Sequence, residues 1–127
     1  IIFLICHGRL VLNFLLKILA AEISREKDGL ARSSRNVYLS SKERVIAPEL
    51  YHTICEVASS VKKGTPIRKA ITQAKLNLLQ CGFKKIDYIS VCNSETLEPY
   101  IPKSKIGGRV LAAAWLGKTR LIDNAPL

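Results

Sequence analysis

The sequence predicts an α+β fold: a small domain with two or three helices packed on a small, mostly antiparallel three-stranded sheet. Three observations carry this. Apolar residues recur at helical spacing through the middle of the chain, β-branched and apolar runs fill its last third, and 127 residues suffice for one domain with one core. Helices come in one run and strands in another, so the pattern is not the alternation that builds a parallel α/β sheet.

The first 21 residues are strongly apolar. They read as a short strand, residues 1–5, then an amphipathic helix over 9–21 with Leu12, Leu15, Leu16 and Leu19 on one stripe. Arg9 and Lys17 interrupt the run and His7-Gly8 breaks it, so a membrane span is not expected; a secretion signal is disfavoured because no basic leader precedes the apolar stretch. Residues 1–23 therefore form an atypical apolar segment ahead of a domain spanning 24–127. From Glu22 to Asn36 the chain turns polar and charged, with Asp28-Gly29 as its turn signal. Ser40 followed by Glu43 matches a capping box and opens a helix, which Pro48 kinks or restarts. Leu50, Ile54, Val57, Ala58 and Val61 form the next stripe, ending at Lys62-Lys63-Gly64.

Thr65 is expected to cap a further helix, with Pro66 its first residue. Ile67, Ala70, Ile71, Ala74 and Leu78 form its buried face, and Gly82 stops it. Beyond Gly82 the period changes. Lys85 to Cys92 is β-branched and aromatic and reads as a strand. Asn93 to Leu97 is a turn or short helical corner, and a loop runs on to Gly107-Gly108. Arg109 to Leu116 is apolar on both faces, as a central strand must be; Gly117-Lys118 then turns the chain into Thr119 to Asp123 as its hairpin partner.

A composition of 48% hydrophobic and 24% charged residues excludes a disordered tail and a collagen-like chain. The net charge of +10, from 20 Lys and Arg against 10 Asp and Glu, admits nucleic acid, an anionic membrane or a polyanionic small ligand. The cations are spread along the chain, aromatics make up 6%, and they do not interleave with basic residues as in a single-strand binder. A small basic nucleic-acid-binding module is therefore the competing class. Cys6, Cys55, Cys81 and Cys92 lack zinc spacing, and no metal ligand set is expected. Two disulfides are possible by count, but so apolar a chain favours free, mostly buried thiols in a reducing cytoplasm.

Three groups of residues are chemical candidates. Gly117-Lys118-Thr119 ends like a P-loop, yet the preceding Ala113-Ala114-Trp115-Leu116 is a strand pattern without glycines, and only eight residues follow Thr119; a hairpin turn explains it better. His7 and His52 have no metal-spaced partners, and Glu49 and Glu56 beside His52 suit helix ion pairs. The third is the loop from Asp28 to Asn36. Arg32, Ser33, Ser34 and Arg35 place two hydroxyls and two guanidinium groups on a polar loop just before a helix. Serine hydroxyls donate to phosphate oxygens and arginine offers a planar fork to match them. A solvated basic turn suits the same residues, and chemistry alone leaves the two readings level.

The run S-R-E-K-D-G-L-A-R-S-S-R-N-V-Y-L-S over residues 24–40 resembles the signature V-R-E-x-D-G-L-A-[ML]-S-S-R-N-x-Y-L-S of the pantothenate synthetases, or pantoate-β-alanine ligases. Further likenesses follow in order: A-P-E-L-Y over 47–51, G-F-x-x-I-D-Y over 82–88, E-T-L-E-P over 95–99, and R-V-L-A-A-A-W-L-G-K-T-R-L-I-D-N over 109–124. The resemblance implies the C-terminal, lid-like domain of a ligase that condenses pantoate with β-alanine at the expense of ATP, through an enzyme-bound pantoyl adenylate, in pantothenate and coenzyme A biosynthesis. Ser33, Ser34 and Arg35 match the family's counterpart of the KMSKS loop of class I aminoacyl-tRNA synthetases and carry the catalytic role it implies. ATP contacts are implied for Ser24, Arg32, Ser33, Ser34 and Arg35, with Mg²⁺ held mainly by the nucleotide. Two positions depart: Arg32 replaces Met or Leu, and Ser24 replaces Val. The H-x-G-H motif and substrate pockets of the family's N-terminal Rossmann-like domain have no match here, and His7-Gly8-Arg9 does not replace them. The implied partners are that domain and, in the full-length protein, a second subunit, with no nucleic acid or membrane. A truncated product without a function of its own is the third reading.

Overall fold

The computed structural model describes residues 22–102, 104 and 106–127. The strand and helix expected within residues 1–21 lie outside them. The polar loop closes first: Gly29 turns it with φ of +93°, Asp28 accepts from Leu30 N–H at 3.2 Å, and Glu26 N–H donates to the Leu30 carbonyl at 2.8 Å. A side chain at position 29 would stand 3.0 Å from the Tyr51 ring, so both the conformation and the space ask for glycine. A 3₁₀ turn, Ser34–Tyr38, follows.

Helix α1, Ser41–Ile46, starts at the expected capping box: Ser40 accepts from Glu43 N–H, and the Glu43 carboxylate accepts from Ser40 N–H at 2.8 Å. Pro48 restarts the helix rather than kinking it, standing at the N-cap of α2, Glu49–Lys62. Helix α3, Ile67–Cys81, begins one residue later than expected. Pro66 is itself the cap, with ψ of 130°, and Thr65 makes no side-chain cap; the proline satisfies its fixed φ just outside the helix as readily as inside.

The sheet is antiparallel in the order β1-β2-β3, with β1 at Lys85–Asn93, β2 at Gly108–Leu116 and β3 at Thr119–Pro126. Strand β3 runs past the expected end at Asp123, because on an edge strand Pro126 can pair with Arg109 without supplying an inner N–H. The β2–β3 turn uses Gly117 at its first central position with φ of +57°, the placement that suits a two-residue hairpin. Asn93 forms the corner expected there, its side-chain oxygen accepting from Glu95 and Thr96 N–H.

Helices α2 and α3 pack against one face of the sheet. Ile54, Leu78, Val110 and Leu116 are fully buried between these layers, each contributing about 1.5–3 kcal/mol of transfer free energy. Ala112 and Ala114, also buried, leave room for the helices to approach β2. The thiols are less uniformly buried than expected. Cys92 is buried, Cys55 is half-buried and Cys81 is exposed at the end of α3; all three are free. Among the described residues no helix is long and apolar enough to cross a membrane.

Candidate functional site

The polar loop and the 3₁₀ turn lie against the β3 edge of the sheet. Their base is tied down. Arg32 N–H donates to the Ser24 carbonyl at 2.9 Å, and Asn36 Nδ2 donates to the Ala31 carbonyl at 3.0 Å. The Asn36 side-chain oxygen is buried with no partner among the described residues. Between these ties Arg32, Ser33, Ser34 and Arg35 are exposed. Ser33 caps the 3₁₀ turn by accepting from Arg35 N–H at 3.2 Å, which leaves its own O–H free to donate.

The larger tie is Arg25. Its guanidinium meets the Asp123 carboxylate through two hydrogen bonds, of 2.7 and 2.9 Å, donates to the Gly29 carbonyl at 3.0 Å, and lies 3.5 Å from the centroid of the Tyr51 ring. The Asp123 side chain is 4% exposed and that of Arg25 18%. The hydrogen bond to Asp123 raises the Arg25 pKa further, so the guanidinium keeps its charge. Arg44 plays a lesser part, holding Asp28 and keeping its carboxyl below the ordinary range; the hydrogen bond from Arg44 is the main cause and the Leu30 N–H helps.

The sequence-predicted residues divide between hollows. Arg32, Ser33 and Ser34 line a groove of about 560 Å³ together with Asn36, Arg44 and the Glu26 carboxylate. Within it Arg32 is paired with Glu26 at 3.4 Å. Arg35 does not line that groove. It borders a second hollow of about 340 Å³ beside β3, which Arg32 and Ser33 also line, and a third of about 480 Å³ with Tyr38, Trp115, Lys118 and Arg120. Ser24 is exposed and lines none of these three; its carbonyl is already engaged with Arg32. His52 is a surface histidine 3.4 Å from Glu49. Among the described residues no group of three or more His, Cys, Asp or Glu is placed to hold a metal.

The third hollow is backed by a cluster that sequence reasoning missed. A bulge between Ile86 and Tyr88 re-aims Asp87, which accepts from Arg120 Nε at 2.7 Å and from Trp115 Nε1 at 3.1 Å, with Lys85 Nζ also 3.1 Å away. Lys85, Trp115 and Arg120 sit opposite one another across the three strands. Arg120, then Lys85 and Trp115, hold the Asp87 carboxyl down at about 2. An unfolded aspartate titrates near ~4, so this stabilisation is complete above that pH and is lost as pH falls through 2. A carboxyl-carbon NMR titration is expected to give Asp87 a midpoint near 2, moving upward in Arg120→Ala; a midpoint at the ordinary value in the unsubstituted chain would dissolve the cluster.

A helix-backed antiparallel sheet with an exposed, hydroxyl- and guanidinium-bearing loop at its edge defines a small α+β domain suited to an anionic ligand. The chain matches the family model described as pantoate-beta-alanine ligase over residues 7–126, and it belongs to that family. It is 47% identical over 108 residues to a pantothenate synthetase of Rhodopseudomonas palustris, covering 85% of this chain and 38% of that protein. It is 46% identical over 114 residues to a pantoate-beta-alanine ligase of Schizosaccharomyces pombe, covering 89% and 40%. The chain thus spans about two fifths of the length of these curated relatives. A crystal structure of pantothenate synthetase from Thermus thermophilus superposes with a TM-score of 0.84 at 32% identity, over 98% of this chain and 45% of that one. A Francisella tularensis pantoate-beta-alanine ligase, complexed with beta-gamma ATP and beta-alanine, shares the fold at a TM-score of 0.66 and 23% identity, over 98% of this chain and 39% of that one.

Proposed function

We propose that residues 24–127 form the C-terminal lid domain of an ATP-dependent ligase that joins pantoate to β-alanine through pantoyl adenylate, and that Ser33, Ser34 and Arg35 close over the ATP phosphates. The observation that carries this reading is the exposed 33–35 turn, anchored at its base by Asn36 and Arg32 while its hydroxyls and guanidinium remain outward, within a chain of this family. When the pantoate carboxylate attacks the α-phosphate, negative charge builds on the departing pyrophosphate. Donors brought onto that charge by loop closure stabilise it more than they stabilise bound ATP, which is what raises rate.

Arg32, Ser33 and Arg35 already share the hollow of about 340 Å³ beside β3, while Ser34 lines only the outer groove, so bringing Ser33, Ser34 and Arg35 onto one ligand asks for a movement that carries Ser34 toward Arg35. Arg32, one of the two departures from the family pattern, adds a cation at the groove that Glu26 already offsets. Among the described residues Glu26 is the one carboxylate lining that groove, and the Mg²⁺ of the reaction is read as carried in by the nucleotide. The pantoate and β-alanine pockets belong to a Rossmann-like N-terminal domain, the partner of this one in a cytoplasmic enzyme that pairs as a homodimer. Val37, Tyr38 and Val45, 78%, 76% and 78% exposed beside the loop, are apolar surface of the kind such a neighbour would cover. The 127 residues alone are expected to yield no pantothenate from pantoate, β-alanine and ATP, and to restore synthesis when mixed with a separately produced N-terminal domain. Turnover by these residues alone would overturn the lid assignment.

A further inference from the structure

We propose that the β2–β3 hairpin carries an anion subsite, with Lys118 and Arg120 joining Arg35 to hold a diphosphate group; the proposal rests on the lid reading above and extends it to residues that reading leaves idle. The hollow of about 480 Å³ between the 3₁₀ turn and the hairpin is lined by three cations, Arg35, Lys118 and Arg120, with Tyr38, Trp115 and Thr119, and, among the described residues, by no carboxylate. Among the described residues neither Arg35 nor Lys118 takes part in a salt bridge. Like charges gathered around one hollow repel each other, and an anion placed among them relieves that repulsion.

Arg120 is prepared for the task. Asp87 grips it through Nε and fixes the Trp115 indole N–H in the same stroke, so the guanidinium and the ring beside it are held before any ligand arrives. The Asp87 charge is more than matched by Lys85 and Arg120 together, which leaves the cluster positive. Lys118 stands at the hairpin turn as an exposed point charge. The Gly117-Lys118-Thr119 run, which fails as a P-loop because a strand precedes and follows it, would thus still place its lysine on a phosphate. Arg35 borders both this hollow and the one along β3, so it links the hairpin to the loop that bears the serines.

The ligand is a diphosphate, either the β- and γ-phosphates of a bound nucleotide or free pyrophosphate. Amide NMR spectra of the ¹⁵N-labelled chain, titrated with inorganic pyrophosphate, ATP and AMP, separate the sources. Pyrophosphate and ATP are expected to shift Gly117 to Arg120 together with Arg35, whereas AMP, which lacks the terminal phosphates, leaves the hairpin unmoved. A response to ATP without one to pyrophosphate assigns the subsite to the bound nucleotide alone. Lys118→Gln, at an exposed turn, should weaken pyrophosphate binding about tenfold, the worth of one charge-assisted hydrogen bond. Lys75→Gln, on the exposed side of α3, should leave it unchanged. Shifts confined to Arg32–Ser34, or equal losses from the two lysine variants, would overturn the subsite while leaving the serine loop's role standing. Silence of the hairpin toward all three ligands would also overturn it, and the domain-mixing assay would judge the lid reading separately.

Discussion

Arg35→Ala in a full-length enzyme carrying this domain is expected to slow pyrophosphate release from ATP and pantoate by about 10²–10³-fold, the loss typical of removing one preorganised donor from a developing charge. The side chain is exposed and, among the described residues, outside every salt bridge, so the fold does not depend on it. Thermal unfolding should be unmoved while kcat falls, a split that separates a ligand contact from a structural one. Arg35→Lys should recover only part of the rate, because an ammonium keeps the charge but not the planar fork. Unchanged pyrophosphate release in Arg35→Ala would remove the loop from the chemistry.

The second large effect is on stability. Asp123→Ala is expected to lower the unfolding free energy of the chain by about 3–5 kcal/mol, since it leaves the Arg25 guanidinium largely buried without its counter-charge. Urea unfolding followed by circular dichroism reads this directly. Where the alanine variant fails to fold, Arg25→Lys, which keeps one charge but cannot make both bonds, should still show a substantial loss. A change below about 1 kcal/mol in both would class the pair with ordinary surface ion pairs.

The helices and the hairpin were legible because their causes are local. The Ser40–Glu43 box, the stripes of α2 and α3, and Gly117 at the turn act within a few residues and need no knowledge of the remainder. The Arg25–Asp123 pair, 98 residues apart in sequence, and the Asp87 cluster depend on sheet register and a bulge, which no local pattern announces. The Thr65-Pro66 start slipped by one residue because proline is accepted on either side of a helix boundary. The exposure of Cys81 reflects its place on the outward side of α3, where an apolar thiol gains no partner. Of the candidate site, the loop residues were visible from their chemistry and from the family resemblance. The parting of Ser34 from Arg35 was not, because which hollow a residue of a 3₁₀ turn borders follows from what the turn packs against. The net charge of +10 likewise did not separate the ligase family from a nucleic-acid module; the family match did.

The Arg25 clamp has a mechanical meaning. By fastening the start of the polar loop to the last strand, it ties together two segments 98 residues apart and closes the intervening chain into a ring. On the proposed lid reading, a domain swing would pivot upstream of Arg25, at the Glu22–Ser24 approach, because Arg25 itself is bound to Asp123 and Asn124 of the last strand.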